Sequence, residues 1–162
     1  MMKIGWKELL LCGVVVAVFL SSALYFYASG RQEAMLLQPQ NLGLISQGSQ
    51  IYAESCASCH GANLEGEPNW KSTNADGSLP APPHDETGHT WHHPDDLLFR
   101  ITKFGTAKAT GLDELNSDMP AFEGTLSDEE IIAVLSWIKA QWPEDLQKRH
   151  DMLNERTRSL SK

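Results

Sequence analysis

The chain has 162 residues, 41% of them hydrophobic, with 13 basic and 21 acidic side chains for a formal charge of −8. That length suits one domain of ordinary size with an appendage, not two full domains. The acidic balance argues against a nucleic-acid-binding face, and three cysteines are too few for a disulfide scaffold.

Residues 1–8 carry Lys3 and Lys7, and Leu9 to Ala28 then runs 20 residues without a charge. A helix of that length spans roughly 30 Å, the thickness of a bilayer's hydrocarbon core. Trp6 near one end, and Tyr25 and Tyr27 near the other, suit interfacial aromatic belts. A retained transmembrane anchor over 9–28 is therefore expected. The alternative is a cleaved signal peptide ending at Ser21-Ser22-Ala23, but apolar character resumes beyond it. Basic residues concentrate before the span, which places residues 1–8 in the cytoplasm. In a bacterium the remainder would lie in the periplasm, held to the inner membrane by a single pass.

Residues 29–45 read as a linker, since Pro39, Asn41 and Gly43 break regular structure. The folded part is expected over 46–143. Its first helix is read from Gly48 to His60. The second follows Pro94, with Asp95 and Asp96 at its positive end and Gly105 at its stop. The third opens on the capping box Ser127-Asp128-Glu129-Glu130 and stops by Pro143, with Ile131, Val134, Leu135 and Ile138 as its apolar stripe. No stretch alternates as a strand, so the class is all-α. Between the first two helices lie 33 residues, Gly61 to His93, with little periodicity. So long a loop is reasonable in a compact domain only if it wraps something large that is not protein.

Cys56-Ala57-Ser58-Cys59-His60 names that object, because C-x-x-C-H is the attachment signal of c-type haem. The two thiols add to haem vinyl groups, and the next residue sends imidazole to the iron. A redox dithiol would want a βαβ context, and a structural zinc site a second ligand pair; neither is present. Met119 lies 59 residues after His60, followed by Pro120. Its soft sulfur suits a sixth iron ligand, and a His/Met pair raises the reduction potential. The alternatives are a buried gap-filling methionine with an open or histidine-filled iron site. Met35, Met152, Met1 and Met2 all lie outside the folded stretch.

With these residues in view the chain resembles class I cytochromes c over roughly 46–142, in the small bacterial monohaem form. The resemblance implies an all-α fold wrapped around one covalent haem c. Gly48 and Tyr52 match the glycine and aromatic of that family's first helix, and Leu135 and Trp137 match the contact residues of its last. Pro82 looks like the proline whose carbonyl accepts a hydrogen bond from the ligand histidine, with Pro83 as the fallback. His60 and Met119 would be the iron ligands, and the protein an electron carrier rather than an enzyme, with no small-molecule substrate. Its place would be a respiratory chain, between a quinol-oxidising complex and a terminal oxidase or other acceptor. The alternatives are a fixed haem subunit of a larger membrane oxidoreductase, or a metal-handling or redox-sensing protein using the loop His84–His93.

That loop holds four histidines, His84, His89, His92 and His93, in ten residues. Imidazoles suit copper or zinc. The plainer reading is a loop that hydrogen-bonds haem propionates and stacks Trp91 on the haem edge. Because adjacent residues point apart on a helix or strand, no second metal is expected there. Charge is segregated: 46–145 carries 17 acidic and five basic residues, whereas 147–162 carries five basic and two acidic. The acidic domain would be steered to a redox partner with a basic docking patch. The basic tail, 144–162, is compatible with a short helix against the domain or a contact with anionic lipid.

Overall fold

A computed structural model describes residues 19–22, 37–112 and 114–160. The chain divides into two compact units, 1–36 and 37–162. In the first, residues 19–22 are helical, with the Ser22 hydroxyl donating to the Phe19 carbonyl at 3.1 Å. The expected span over 9–28 otherwise lies outside the described residues. Among the described residues no helix is long and apolar enough to cross a membrane.

The second unit is all-α among the described residues, with two isolated bridges, Leu79 to Ser117 and Glu123 to Leu126. Helix α1 is Leu42–Ser55, so it begins inside the stretch read as linker. Asn41, read as a breaker, is instead the N-cap, its side chain accepting from the Leu44 N–H at 3.3 Å. Both readings follow from the same short polar side chain, which competes with the backbone in a helix interior and satisfies it at a helix start. The chain ahead of the cap also belongs to the domain. Leu37 is buried, its N–H donates to Asp95 Oδ2 at 3.0 Å, and the Gln38 N–H donates to Ser136 Oγ at 2.9 Å.

The helix expected to run on to His60 is interrupted at Cys56, where φ is −121° and ψ −36°. Helix α2, Ala57–His60, follows at once. The hydrogen bonds continue across the break, Cys56 N to the Tyr52 carbonyl and His60 N to the Cys56 carbonyl. Helix α3, Asp95–Phe104, has the expected limits, and a short α4, Thr106–Thr110, follows Gly105. Helix α5, Asp128–Ala140, starts on the complete capping box: Glu130 N to Ser127 Oγ, and Ser127 N to Glu130 Oε2.

Helices α1 and α5 cross at Gly48. A Cβ there would meet the Ala133 backbone and come within 2.8 Å of Trp137 Cβ, so only glycine permits the approach. Tyr52, one turn on, packs against Trp137 with ring centroids 4.6 Å apart. Trp137 thus stands where the resemblance implied. The other residue against Gly48 is Ala133, while Leu135 is buried in the core.

The basic tail forms helix α6, Glu144–Leu160. It buries Leu146, His150 and Asn154, four residues apart and therefore on one face. Asn154 accepts from the Asp95 N–H at 2.8 Å and donates to Asp95 Oδ1 at 2.9 Å. His150 Nε2 donates to the His93 carbonyl at 2.9 Å, and Trp142 Nε1 donates to the His84 carbonyl at 2.7 Å. Burial and the nearby Lys139 ammonium lower the proton affinity of His150. A neutral ring with its proton on Nε2 satisfies the bond to His93.

Candidate functional site

The break after α1 brings Cys56, Cys59 and His60 to one short segment. Both thiols are free, Cys56 partly buried and Cys59 exposed. Burial, with the neighbouring Cys59, pushes the Cys56 thiol up to about 11. His60 is 6% exposed and its Nδ1 donates to the Pro82 carbonyl at 2.9 Å. Burial lowers its proton affinity, which the Pro82 bond partly offsets. A neutral imidazole protonated at Nδ1 carries its lone pair on Nε2, and Nε2 has no hydrogen-bond partner among the described residues.

The Pro82 carbonyl is held from several directions. Gly66, at φ +67°, packs so close that a Cβ would lie 2.7 Å from the Pro82 carbonyl carbon. Gly88 packs as tightly against Pro83, where a Cβ would lie 2.7 Å from its carbonyl carbon. Glu67 N donates to the Ala81 carbonyl at 2.8 Å, Ala81 N to Glu67 Oε2 at 2.6 Å, and His84 N to the Leu64 carbonyl at 2.8 Å. The long loop is therefore a frame built around one carbonyl oxygen. Pro83, the fallback, is buried but does not make this bond.

Met119 stands on another wall. It is half-buried, its N–H donates to Ser117 Oγ at 3.3 Å, and it lines a cavity of about 260 Å³ with Phe104, Gly105, Leu115 and Ala121. The lining of that cavity does not include Cys56, Cys59, His60 or Pro82. The structure thus brings Cys56, Cys59, His60 and Pro82 together and leaves Met119 in a separate cavity of mixed polarity, where Thr106, Lys108 and Ser117 also line the wall.

The histidine loop does not converge on one point. His84 lies face to face on His60, ring centroids 3.9 Å apart and planes 21° apart. His89, His92 and His93 group elsewhere, with centroids 4.8 to 5.5 Å apart. His92 and His93, expected to point apart, stand 4.8 Å apart. The backbone is neither helix nor strand there: a 3-10 turn over Thr90–His92 passes into extended conformation at His93. Burial, then His89 and His92, pushes His93 down to about 4. Among the described residues no group of three His, Cys, Asp or Glu side chains is arranged to hold a metal ion.

Trp91 Nε1 is buried with no hydrogen-bond partner, and the Arg149 guanidinium of α6 lies 5.5 Å over its ring. A buried N–H without an acceptor costs about 1–3 kcal/mol, so it calls for an acceptor from outside the chain. Two free thiols and an imidazole with a free Nε2 on one short segment fit covalent haem. Sequence alone singled out Trp91 and His84 as members of the loop, without signalling the orphaned donor or the stack.

A family described as "Cytochrome C oxidase, cbb3-type, subunit III" matches residues 43–138. The chain belongs to this family. Its class I cytochrome c domain implies electron transfer, with covalent haem c at the Cys56 and Cys59 attachment motif. No curated protein and no solved structure matches the chain. The family match opens with α1 and closes inside α5; Trp142 and α6 lie beyond it.

Proposed function

We propose that this protein is a membrane-anchored carrier of single electrons, with one haem attached through Cys56 and Cys59 and its iron held by His60 and Met119. The observation that carries this reading is the His60 ring. Its Nδ1 is spent on Pro82 and its Nε2 is free, beside two free thiols. Bound haem supplies a one-electron ferric/ferrous couple. Pro82 orients the imidazole and strengthens it as a donor, as second partners of metal-bound histidines do. Met119 would give a soft sulfur, and a His/Met pair raises the reduction potential.

Replacing Cys56 or Cys59 by serine is expected to lower the yield of covalently haem-loaded protein at least tenfold. The check is haem retained through acid–acetone extraction. Haem extracted intact from the wild-type protein would overturn the reading. The oxidised protein should also show the weak near-infrared band of sulfur-to-iron ligation. Met119→Leu should abolish that band while leaving the haem attached; a band that persists moves the ligand elsewhere.

The charge-free run Leu9–Ala28 supports an inner-membrane anchor with the haem domain in the periplasm. The acidic domain supports docking to a redox partner through a basic patch, and neither nucleic acid nor a small-molecule substrate. Donor and acceptor would be a quinol-oxidising complex and a terminal oxidase or other acceptor. The family description favours one second reading, a fixed haem-bearing subunit of a larger membrane oxidoreductase. Purification from native membranes in mild detergent separates the two. A carrier leaves alone, and a subunit leaves in stoichiometric complex.

A further inference from the structure

We propose that His84 is a positioning residue for the axial histidine: its ring, laid flat on His60 and tied to Thr90, fixes the plane in which the His60 imidazole stands. This rests on the haem reading above.

The bond from His60 Nδ1 to Pro82 fixes one edge of the ring. A single hydrogen bond leaves the ring free to tilt about that edge. Contact over a face removes this freedom. The His60–His84 pair, at 3.9 Å and 21°, is the closest and most nearly parallel pair of rings among the described residues.

For His84 to set the plane of His60, its own ring must be held, and it is. The His84 backbone is fixed by its N–H donating to the Leu64 carbonyl and its carbonyl accepting from Trp142 Nε1 at 2.7 Å, and the ring by Nδ1, hydrogen-bonded to Thr90 Oγ1 at 2.8 Å. Thr90 is itself buried, 4% exposed, at the start of the 3-10 turn. An apolar side chain at 84 would fill the space without the tie to Thr90.

The plane of an axial imidazole decides which iron d orbital overlaps its π system. It therefore shows in the spread and order of the haem methyl proton resonances and in the g-anisotropy of the ferric low-spin form. The test uses the full-length haem-loaded protein as wild type, His84→Ala, His84→Phe and Thr90→Val. We expect His84→Ala to shift the methyl pattern and the g-values. His84→Phe, which restores a flat ring, should return them towards wild type, and Thr90→Val should give an intermediate pattern. A His84→Ala protein with the wild-type methyl order and g-values overturns the proposal. Should that variant fail to mature, an unchanged pattern in Thr90→Val overturns it instead. Covalent haem in the wild type with no spectral change in the variants sinks this inference alone. A wild type without covalent haem sinks the proposed function, and this inference with it.

Discussion

Gly48→Val is expected to destabilise the folded domain by about 3 kcal/mol, with a lower haem-loaded yield as a consequence. The valine Cβ would meet the Ala133 backbone and Trp137 Cβ. A flexible side chain can yield to a new methyl group, but a carbonyl inside a helix cannot. Helices α1 and α5 would have to move apart, separating Tyr52 from Trp137. Overpacking costs typically 1–3 kcal/mol, and a clash limited by backbone belongs at or above the top of that range, about 3 kcal/mol. Gly43→Ala is the control. It lies in the exposed first turn of α1, where a Cβ makes an ordinary 3.4 Å contact with Asn41 Oδ1. That variant should be neutral or more stable by up to about 1 kcal/mol. Urea unfolding of both checks the contrast, and equal stabilities would refute the tight crossing.

Asn154→Ala should destabilise by about 3 kcal/mol, a fall in Tm of roughly 10–15 °C for a domain of this size. Asn154 is 5% exposed, and its amide serves both the N–H and the carboxylate of Asp95, itself 4% exposed. Truncation leaves a buried N–H without an acceptor and a buried carboxylate short of a donor. Each such loss costs about 1–3 kcal/mol. Glu155→Ala, next along the helix and exposed, should stay within about 0.5 kcal/mol of wild type. An Asn154→Ala midpoint equal to that of Glu155→Ala would show that α6 contributes no stability through Asp95.

These two sites differ in how far the sequence announced them. Gly48 and Tyr52 at a four-residue spacing, the Ser127 capping box and the CASCH motif are local patterns, and the structure builds local features on each. Helix α6 carries no comparable signal. Its buried face is Leu146, His150 and Asn154, one apolar residue and two polar ones, so hydrophobic periodicity is blind to it. Its partner Asp95 reads as a helix-start carboxylate, which it also is. The start of α1 is hidden in the sequence because asparagine signals a cap and a break alike. The stack of His84 on His60 joins residues 24 positions apart through a loop held by Leu64, Gly66 and Gly88, and no pattern of period two or 3.6 encodes that.

The entry of the chain into the domain has a mechanical consequence. Tension arriving along the backbone from residue 36 is first resisted at Leu37 and Gln38, whose N–H groups are bound to Asp95 on α3 and Ser136 on α5. Asp95 passes part of that load to α6 through Asn154. The path runs through three helices, none of which carries Pro82, His60 or Met119. A domain pulled at this point is loaded first in its helical scaffold, and the load reaches the loop around His84 through the side chains of Trp142 and His150.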